Sequence, residues 1–296
     1  MLSSLPHFRG KVRVALALHR CLGLDTHHLR YKAQLKKPLG YCVELDMYSL
    51  MQRMAYFMDG YEPEATTFLT ECYSGSGYFL DIGANIGLIS IPFTLLNKGA
   101  RSGNDFMTYC VDPISTNINS LDQNIRLNRL EDQIQTICEG VGECQKEVEI
   151  QIEGNLKTGE GTGAANILVS NTTHPCERLT LQITTIDDLI ENRKLPGNCS
   201  LMKIDVDGYD LKVLQGATKL LSTNRPIVYG EFLQHCLSWH GQSHVDVINF
   251  AGSYDYEVHV QKERTWKFEH RTSYKGTRDL LLVPKEKLAE LSWCLH

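Results

Sequence analysis

The sequence predicts an α/β fold, a mostly parallel sheet with helices on both faces, and three observations lead there. Short apolar runs at residues 78–82, 106–111, 201–204 and 226–230 each reach an acid, Asp81, Asp112, Asp205 or Glu231, before a helix-compatible segment. The unit is clearest at residues 78–90, where Asp81 closes a strand, Gly83 and Gly87 make a tight turn, and an apolar helix start follows. The chain of 296 residues is 42% hydrophobic, enough for one large core or one core with an appended subdomain.

The chemistry of the turn narrows its ligand. A dinucleotide fingerprint needs a second glycine so that the backbone can approach a pyrophosphate, and Asn85 stands in that place. No Gly-Lys-Ser/Thr follows, which excludes a phosphate-binding P-loop. Asp-x-Gly-x-Asn-x-Gly is similar to motif I of the S-adenosylmethionine-dependent methyltransferases, whose cofactor carries an ammonium group that suits an acid at the strand end. The alternative is a strand, turn and helix whose glycines serve packing alone.

A net charge of −5 argues against broad binding to a polyanion, so nucleic acid is not an expected partner. The ten cysteines contain no Cys-x-x-Cys pair, against a structural zinc site or a disulfide scaffold, and read as reduced thiols in a cytoplasmic protein.

Residues 1–40 are basic, with Arg9, Lys11, Arg13, Arg20, Arg30, Lys32, Lys36 and Lys37 facing only Asp25. The apolar run at 12–18 is too short to span a bilayer and makes a poor signal peptide. It reads as a solvated helix capping the core, or as a basic amphipathic helix that touches a membrane surface, a partner or an anionic substrate. After a short strand near Tyr41, Met47, Leu50, Met51, Met54, Phe57 and Met58 recur at helical spacing as a core stripe. Pro63 then opens a second helix, with Glu62 and Glu64 as solvated acids at its start or, alternatively, as acids that reach the cofactor. Residues 1–72 are expected as a basic, helical extension and 73–296 as the main domain.

Beyond the first turn, Asp112 lies 25 residues past Gly87, near the spacing at which a βαβ unit offers a carboxylate to a ribose diol; a surface Asp-Pro turn is the alternative. A helix at 117–127, a third strand at 133–138 and a dock for adenine at Glu139-Gly140-Val141-Gly142 follow. Residues 148–152 alternate as a half-exposed antiparallel strand should, and 179–183 form another strand. Because ligands gather beyond the carboxyl ends of parallel strands, Asp205, Asp207 and Glu231 are expected to face the site opened by Asp81.

Gly-Tyr-Glu-Pro-Glu at 60–64, Phe-Leu-Asp-Ile-Gly-Ala-Asn-Ile-Gly at 79–87, Val-Asp-Pro at 111–113, Thr-Ile-Asp-Asp-Leu at 185–189, Lys-Ile-Asp-Val-Asp-Gly at 203–208 and Tyr-Gly-Glu-Phe at 229–232, in this order, resemble the FkbM family of methyltransferases. The resemblance covers about residues 41–284. It implies a class I methyltransferase, Rossmann-like fold with a seven-stranded sheet, and O-methylation of a sugar, glycan or hydroxylated natural product from S-adenosyl-L-methionine. Carried over by position, Asp81, Gly83, Ala84, Asn85 and Gly87 would line the methionine end of the cofactor, Asp112 would hold its ribose, and Asp205 and Glu231 would lie where methyl meets acceptor. Asp207 stands where the family usually has Glu before glycine.

An alcohol acceptor needs its proton taken, an assistance typically worth about 10²- to 10⁴-fold. Asp205, Glu231 and His235 are the candidates, with His240 and His244 behind them; a structural or solvent-facing His235 is the alternative. Asp205, Asp207 and Glu231 also offer hard oxygens to Mg²⁺, a second mechanism. A nucleoside-binding module without turnover is a reading from another class. Trp239, Tyr254, Tyr256, Trp266 and Tyr274 are candidates to stack on an acceptor, or simply to pack the sheet edge. The expected partners are a small molecule or glycan and, as an option, a second copy of the chain in a homodimer.

Overall fold

The computed structural model describes residue 21 and residues 29–100, 106–152, 165–167, 177–262, 266–271 and 279–295. A two-stranded antiparallel hairpin, β1 (Arg30–Leu35) and β2 (Tyr41–Asp46), leads into α1 (Leu50–Met58) and α2 (Pro63–Cys72). The helical extension expected from the sequence is therefore in part a hairpin. Alternation explains it, since Tyr41, Val43 and Leu45 are buried while Cys42 and Glu44 are only partly so.

The central sheet is built from β3 (Tyr78–Ile82), β4 (Thr108–Val111), β5 (Ile134–Ile137), β10 (Cys199–Ile204), β11 (Ile227–Gly230), β12 (Tyr256–Gln261), β13 (Phe268–His270) and β14 (Leu280–Pro284), in the order β13-β12-β14-β11-β10-β3-β4-β5. The five strands from β5 to β11 are parallel, and β14 enters antiparallel between β11 and β12. These make up the expected mostly parallel, seven-stranded sheet, and the short β13 adds an eighth strand at one edge. The helices α3 (Ser90–Ala100), α4 (Ser115–Leu127), α5 (Ile186–Glu191), α6 (Asp210–Gln215), α7 (Thr218–Thr223), α8 (Gln234–Trp239) and α9 (His244–Ser253) connect and cover it. A second sheet of β6 (Gly140–Val141), β7 (Lys146–Ile152), β8 (Ala165–Ile167) and β9 (Glu177–Thr184) holds the alternating segment near residue 150.

All five residues of β3 are buried, as a strand covered on both faces requires. Tyr78, Leu80 and Ile82 join one core with Met202, Ile204 and Val228, while Phe79 joins another with Leu201, Ile227, Phe68 and Phe93. Because successive side chains alternate, Asp81 shares the second face with Phe79, Lys203 with Leu201, and Tyr229 with Ile227. The register sets Lys203 directly beside both Asp81 and Tyr229. A third core joins Leu35, Val43, Leu45 and Ala55 to Ile86, Ile91, Leu121 and Ile125, so the hairpin and α1 pack on the helices that follow β3 and β4.

The apolar stripe on α1 divides. Met47 and Phe57 are buried, but Leu50, Met54 and Met58 are 54%, 42% and 40% exposed. These three fall at i, i+4 and i+8, one line along the helix, and that line turns away from the sheet. Among the described residues no helix is long and apolar enough to cross a membrane. Arg9, Lys11, Arg13, Arg20 and Tyr274 lie outside the described residues.

Candidate functional site

The sheet order reverses between β3 and β10, and a cavity of about 300 Å³ opens there at the carboxyl ends of the parallel strands. The turn after β3 forms its floor. Gly83 takes φ +78°, and a Cβ there would stand 2.0 Å from the Asp205 carbonyl oxygen, so only glycine lets the two strand ends meet. Gly87, at φ +87°, would drive a Cβ to 2.4 Å from Leu121 Cδ1. Asn85 itself adopts φ +50°. Asp81, Gly83, Ala84 and Asn85 line the cavity; Gly87 shapes the turn from behind.

Asp81 is 1% exposed. Ser90 Oγ donates to its Oδ2, and Lys203 Nζ stands 3.4 Å from its Oδ1. The same Nζ lies 3.2 Å from Asp205 Oδ2, so one buried lysine bridges an acid at the end of β3 and another just after β10.

Asp112, at the end of β4, is held entirely by the chain. Its Oδ1 accepts from the Ile114 amide at 2.9 Å and Asn117 Nδ2 at 3.2 Å, and its Oδ2 from the Asn85 amide at 3.0 Å. Burial pushes its carboxyl up to about 6 against these donors, which favour the charged form. The acid expected to hold a ribose thus also fastens the Gly83 turn to the next strand. Beside it, Asn85 Oδ1, Thr116 Oγ1 and Asn117 Oδ1 are buried without a hydrogen-bond partner, Asp81 Oδ1 has only its ion pair with Lys203, and all four residues line the cavity. Buried polar atoms are normally paired, so this clustering marks a place shaped for a polar ligand. Glu139, Gly140 and Val141 continue the wall, with Val148, Ile150, Leu181 and Ile183 of the second sheet as its apolar side.

The opposite rim gathers acids. Asp205, Asp207 and Glu231 line it with Tyr61 and Met51 from the N-terminal segment. Glu231 is pushed up to about 8, first by desolvation and then by Asp205, Asp279, Glu62 and Asp210; the residue is exposed, so solvent relieves part of that rise. Glu62, in the left-handed region at φ 40° just before α2, is raised by desolvation and by Asp205. Asp279 accepts from Tyr229 Oη at 2.6 Å, and Asp210 accepts from the Gly208 amide at 2.9 Å. Burial, then Asp205, push Asp210 up to about 7.

Other sequence candidates fall outside the cavity. His235 is exposed on α8, with Nε2 3.2 Å from Cys236 Sγ and its ring edge-on to Trp239. The cause is local: the Leu233 amide bonds to the Glu231 carbonyl and the chain enters α8, turning His235 away from the rim. His240 packs edge-on to Tyr209, and His244 Nε2 lies 3.2 Å from the Phe232 carbonyl. Tyr256 donates to the Pro226 carbonyl, Tyr254 packs on Phe250, and Trp266 packs on Phe68 and Tyr229 at the sheet edge. Among the described residues, Asp205, Asp207 and Glu231 included, no three His, Cys, Asp or Glu side chains are grouped so as to hold a metal ion. Lys203 already supplies positive charge to Asp205. Lys203 and Tyr61 are lining residues that sequence reasoning passed over, although a lysine inside the apolar run 201–204 was the visible signal.

A parallel core with a reversed strand near one edge, and a cavity at the switch point over an Asp-x-Gly-x-Asn turn, define the class I methyltransferase fold. The model of the Methyltransferase FkbM domain matches residues 81–258, more than half of the chain. The chain belongs to the FkbM methyltransferase family. Similar solved structures include Methyltransferase FkbM from Methylobacillus flagellatus KT, at 16% identity over 78% of this chain and 52% of that one, TM-score 0.43. Another is precorrin-6y C5,15-methyltransferase from Geobacter metallireducens GS-15, at 12% identity over 74% and 87%, TM-score 0.40. A third is magnesium protoporphyrin IX methyltransferase from Synechocystis PCC 6803 with bound S-adenosylmethionine, at 12% over 75% and 77%, TM-score 0.41. The chain spans about half the length of the first of these. No curated protein matches it.

Proposed function

We propose that this protein is an S-adenosylmethionine-dependent O-methyltransferase acting on a hydroxyl of a sugar, glycan or other hydroxylated small molecule, with residues 73–296 as the catalytic domain and 1–72 as an extension. The observation that carries the reading is the cavity at the switch point, where three unpartnered polar atoms, of Asn85, Thr116 and Asn117, adjoin an apolar wall and an acid-rich rim. These residues fit the cofactor's three parts. Asp81 offers charge to an ammonium group. Asp112, Asn117 and Thr116 offer acceptors and donors to a ribose diol, and the side formed by Val141, Val148 and Leu181 suits a flat base.

When bound, S-adenosylmethionine supplies an activated methyl group on a sulfonium. The protein's own tasks are then alignment, worth roughly 7–11 kcal/mol in the best cases, and removal of the acceptor's proton. We assign that second task to Asp205 and Glu231, which line the rim and whose carboxylate oxygens would accept the hydroxyl proton. Burial and charge crowding raise the proton affinity of Glu231 above that of an ordinary carboxylate.

Titration calorimetry with S-adenosylhomocysteine on the wild type, Asp81→Ala and Asp112→Ala tests the reading. Binding that both substitutions weaken supports it and justifies screening hydroxylated sugars as acceptors. A folded wild type that binds neither S-adenosylhomocysteine nor S-adenosylmethionine removes it.

A further inference from the structure

Lys203 is the one basic residue among the described residues lining the cavity, against Asp81, Asp112, Glu139, Asp205, Asp207 and Glu231. Its side chain is 6% exposed, inside a strand whose other residues are apolar apart from Ser200. Burying an ammonium is costly unless it is paired, and here it is paired twice, at 3.4 Å to Asp81 and 3.2 Å to Asp205. The two acids have separate tasks in the reading above: Asp81 must be charged to meet an ammonium, and Asp205 must be unprotonated to accept a proton. A buried carboxylate with a second one beside it does not stay ionised without a cation, and here the Asp81 side chain is 1% exposed and that of Asp205 41%.

We propose that Lys203 is a positioning residue that serves as the shared counter-ion of the site, keeping Asp81 and Asp205 ionised at the same time. The inference rests on the S-adenosylmethionine reading. Lys203 is not itself the base. Burial alone would lower its pKa, but Asp205, Asp81 and Glu62 raise it well above the ordinary lysine range, so it stays charged.

Other groups face the pair and enter its titration. Around Asp81 these are Ser90 from α3, Cys110 on β4 and Asp112 at its end. Around Asp205 they are Tyr61 and Glu62 ahead of α2, Tyr229 and Glu231 on and after β11, Asp210 on α6 and Asp279 before β14. None of these is a cation, so removing Lys203 leaves the carboxylates with no counter-charge among them.

The test is calorimetry with S-adenosylhomocysteine between pH 6 and 8.5, in buffers of different ionisation enthalpy, on wild type, Lys203→Met, Lys203→Arg and Lys203→Met/Asp205→Asn. Lys203→Met should bind at least tenfold more weakly at pH 6, regain affinity as pH rises, and release more protons on binding than wild type. Asp205→Asn in the same chain should recover at least threefold of the loss, because one competing carboxylate is gone. A Lys203→Met protein that binds like wild type at every pH overturns the proposal. So does a loss that is equal at every pH and untouched by Asp205→Asn, since that is what a merely structural lysine gives. If Lys203→Met does not fold, the other two variants decide: both binding supports the proposal, and neither binding overturns it. Failure of wild type to bind would instead sink the underlying reading.

Discussion

Asp112 and Glu231 are both acids at the end of a parallel strand and both line one cavity, yet they are held in opposite ways. Asp112 is 5% exposed and fixed by two backbone amides and Asn117, so its place is set by donors within the chain. Glu231 is exposed, and its proton affinity is raised first by desolvation and then by neighbouring carboxylates. On one side of the cavity the acid is held by the chain, and the open polar atoms are those of its neighbours Asn85, Thr116 and Asn117. The other stores unfavourable charge that a cationic ligand would relieve, as is common where binding and catalysis occur.

The contrast is broken most strongly at the rim. Asp205→Asn and Glu231→Gln should lower kcat by about 10²- to 10⁴-fold between them while affinity for S-adenosylhomocysteine and folding stability are kept. Steady-state kinetics with an identified acceptor, alongside urea unfolding, checks both halves. On the scaffold side the expectation reverses. Gly83→Ala forces a side chain into a left-handed turn, about 1–3 kcal/mol by itself, and adds the contact with the Asp205 carbonyl. Asp112→Ala should cost about 2 kcal/mol in unfolding free energy through its lost charged hydrogen bonds, and Asp112→Asn less than half of that.

The pH dependence sharpens the same contrast. Asp112, Asp210 and Glu231 have folded pKa values raised to about 6, about 7 and about 8. A raised acid binds its proton more tightly when folded. Its contribution to stability is therefore fully present below the unfolded value, near 4, and is lost as pH climbs through the folded value. The unfolding temperature should fall between pH 5 and 8, and S-adenosylmethionine should restore more of it at pH 8 than at pH 5. The rate should rise toward pH 8 and lose that limb in Glu231→Gln. A flat melting profile from pH 5 to 8 would show that the acids are not crowded as described. The smallest effect belongs to His235→Ala, which should change kcat by less than about twofold, because the ring lies with Trp239 outside the cavity.

Most of the sheet was legible because its signals are local. An apolar run, an acid and a glycine turn sit within a dozen residues, and the steric demands of that turn allow few alternatives. Asp81, Gly83, Asn85 and Asp112 were therefore found by position, and they line or shape one cavity. His235 looked close because it follows Glu231 in the chain, but the turn into α8 separates neighbours in sequence. The exposed line of Leu50, Met54 and Met58 shows a related limit, since periodicity reports that a helix has an apolar stripe and not which side meets the sheet.

By itself, the sequence determined the strand–turn–helix units, the acids that end them and the glycines that let two strand ends meet, since each depends on backbone sterics within a few residues. Only the tertiary structure decided that Lys203 stands beside both Asp81 and Asp205, that Tyr61 reaches the rim, and that Asp112 is already held by Asn85 and Asn117. Those contacts follow from strand register and from how distant segments pack. Coulomb energy and desolvation depend on that through-space arrangement, which no local pattern in the chain records.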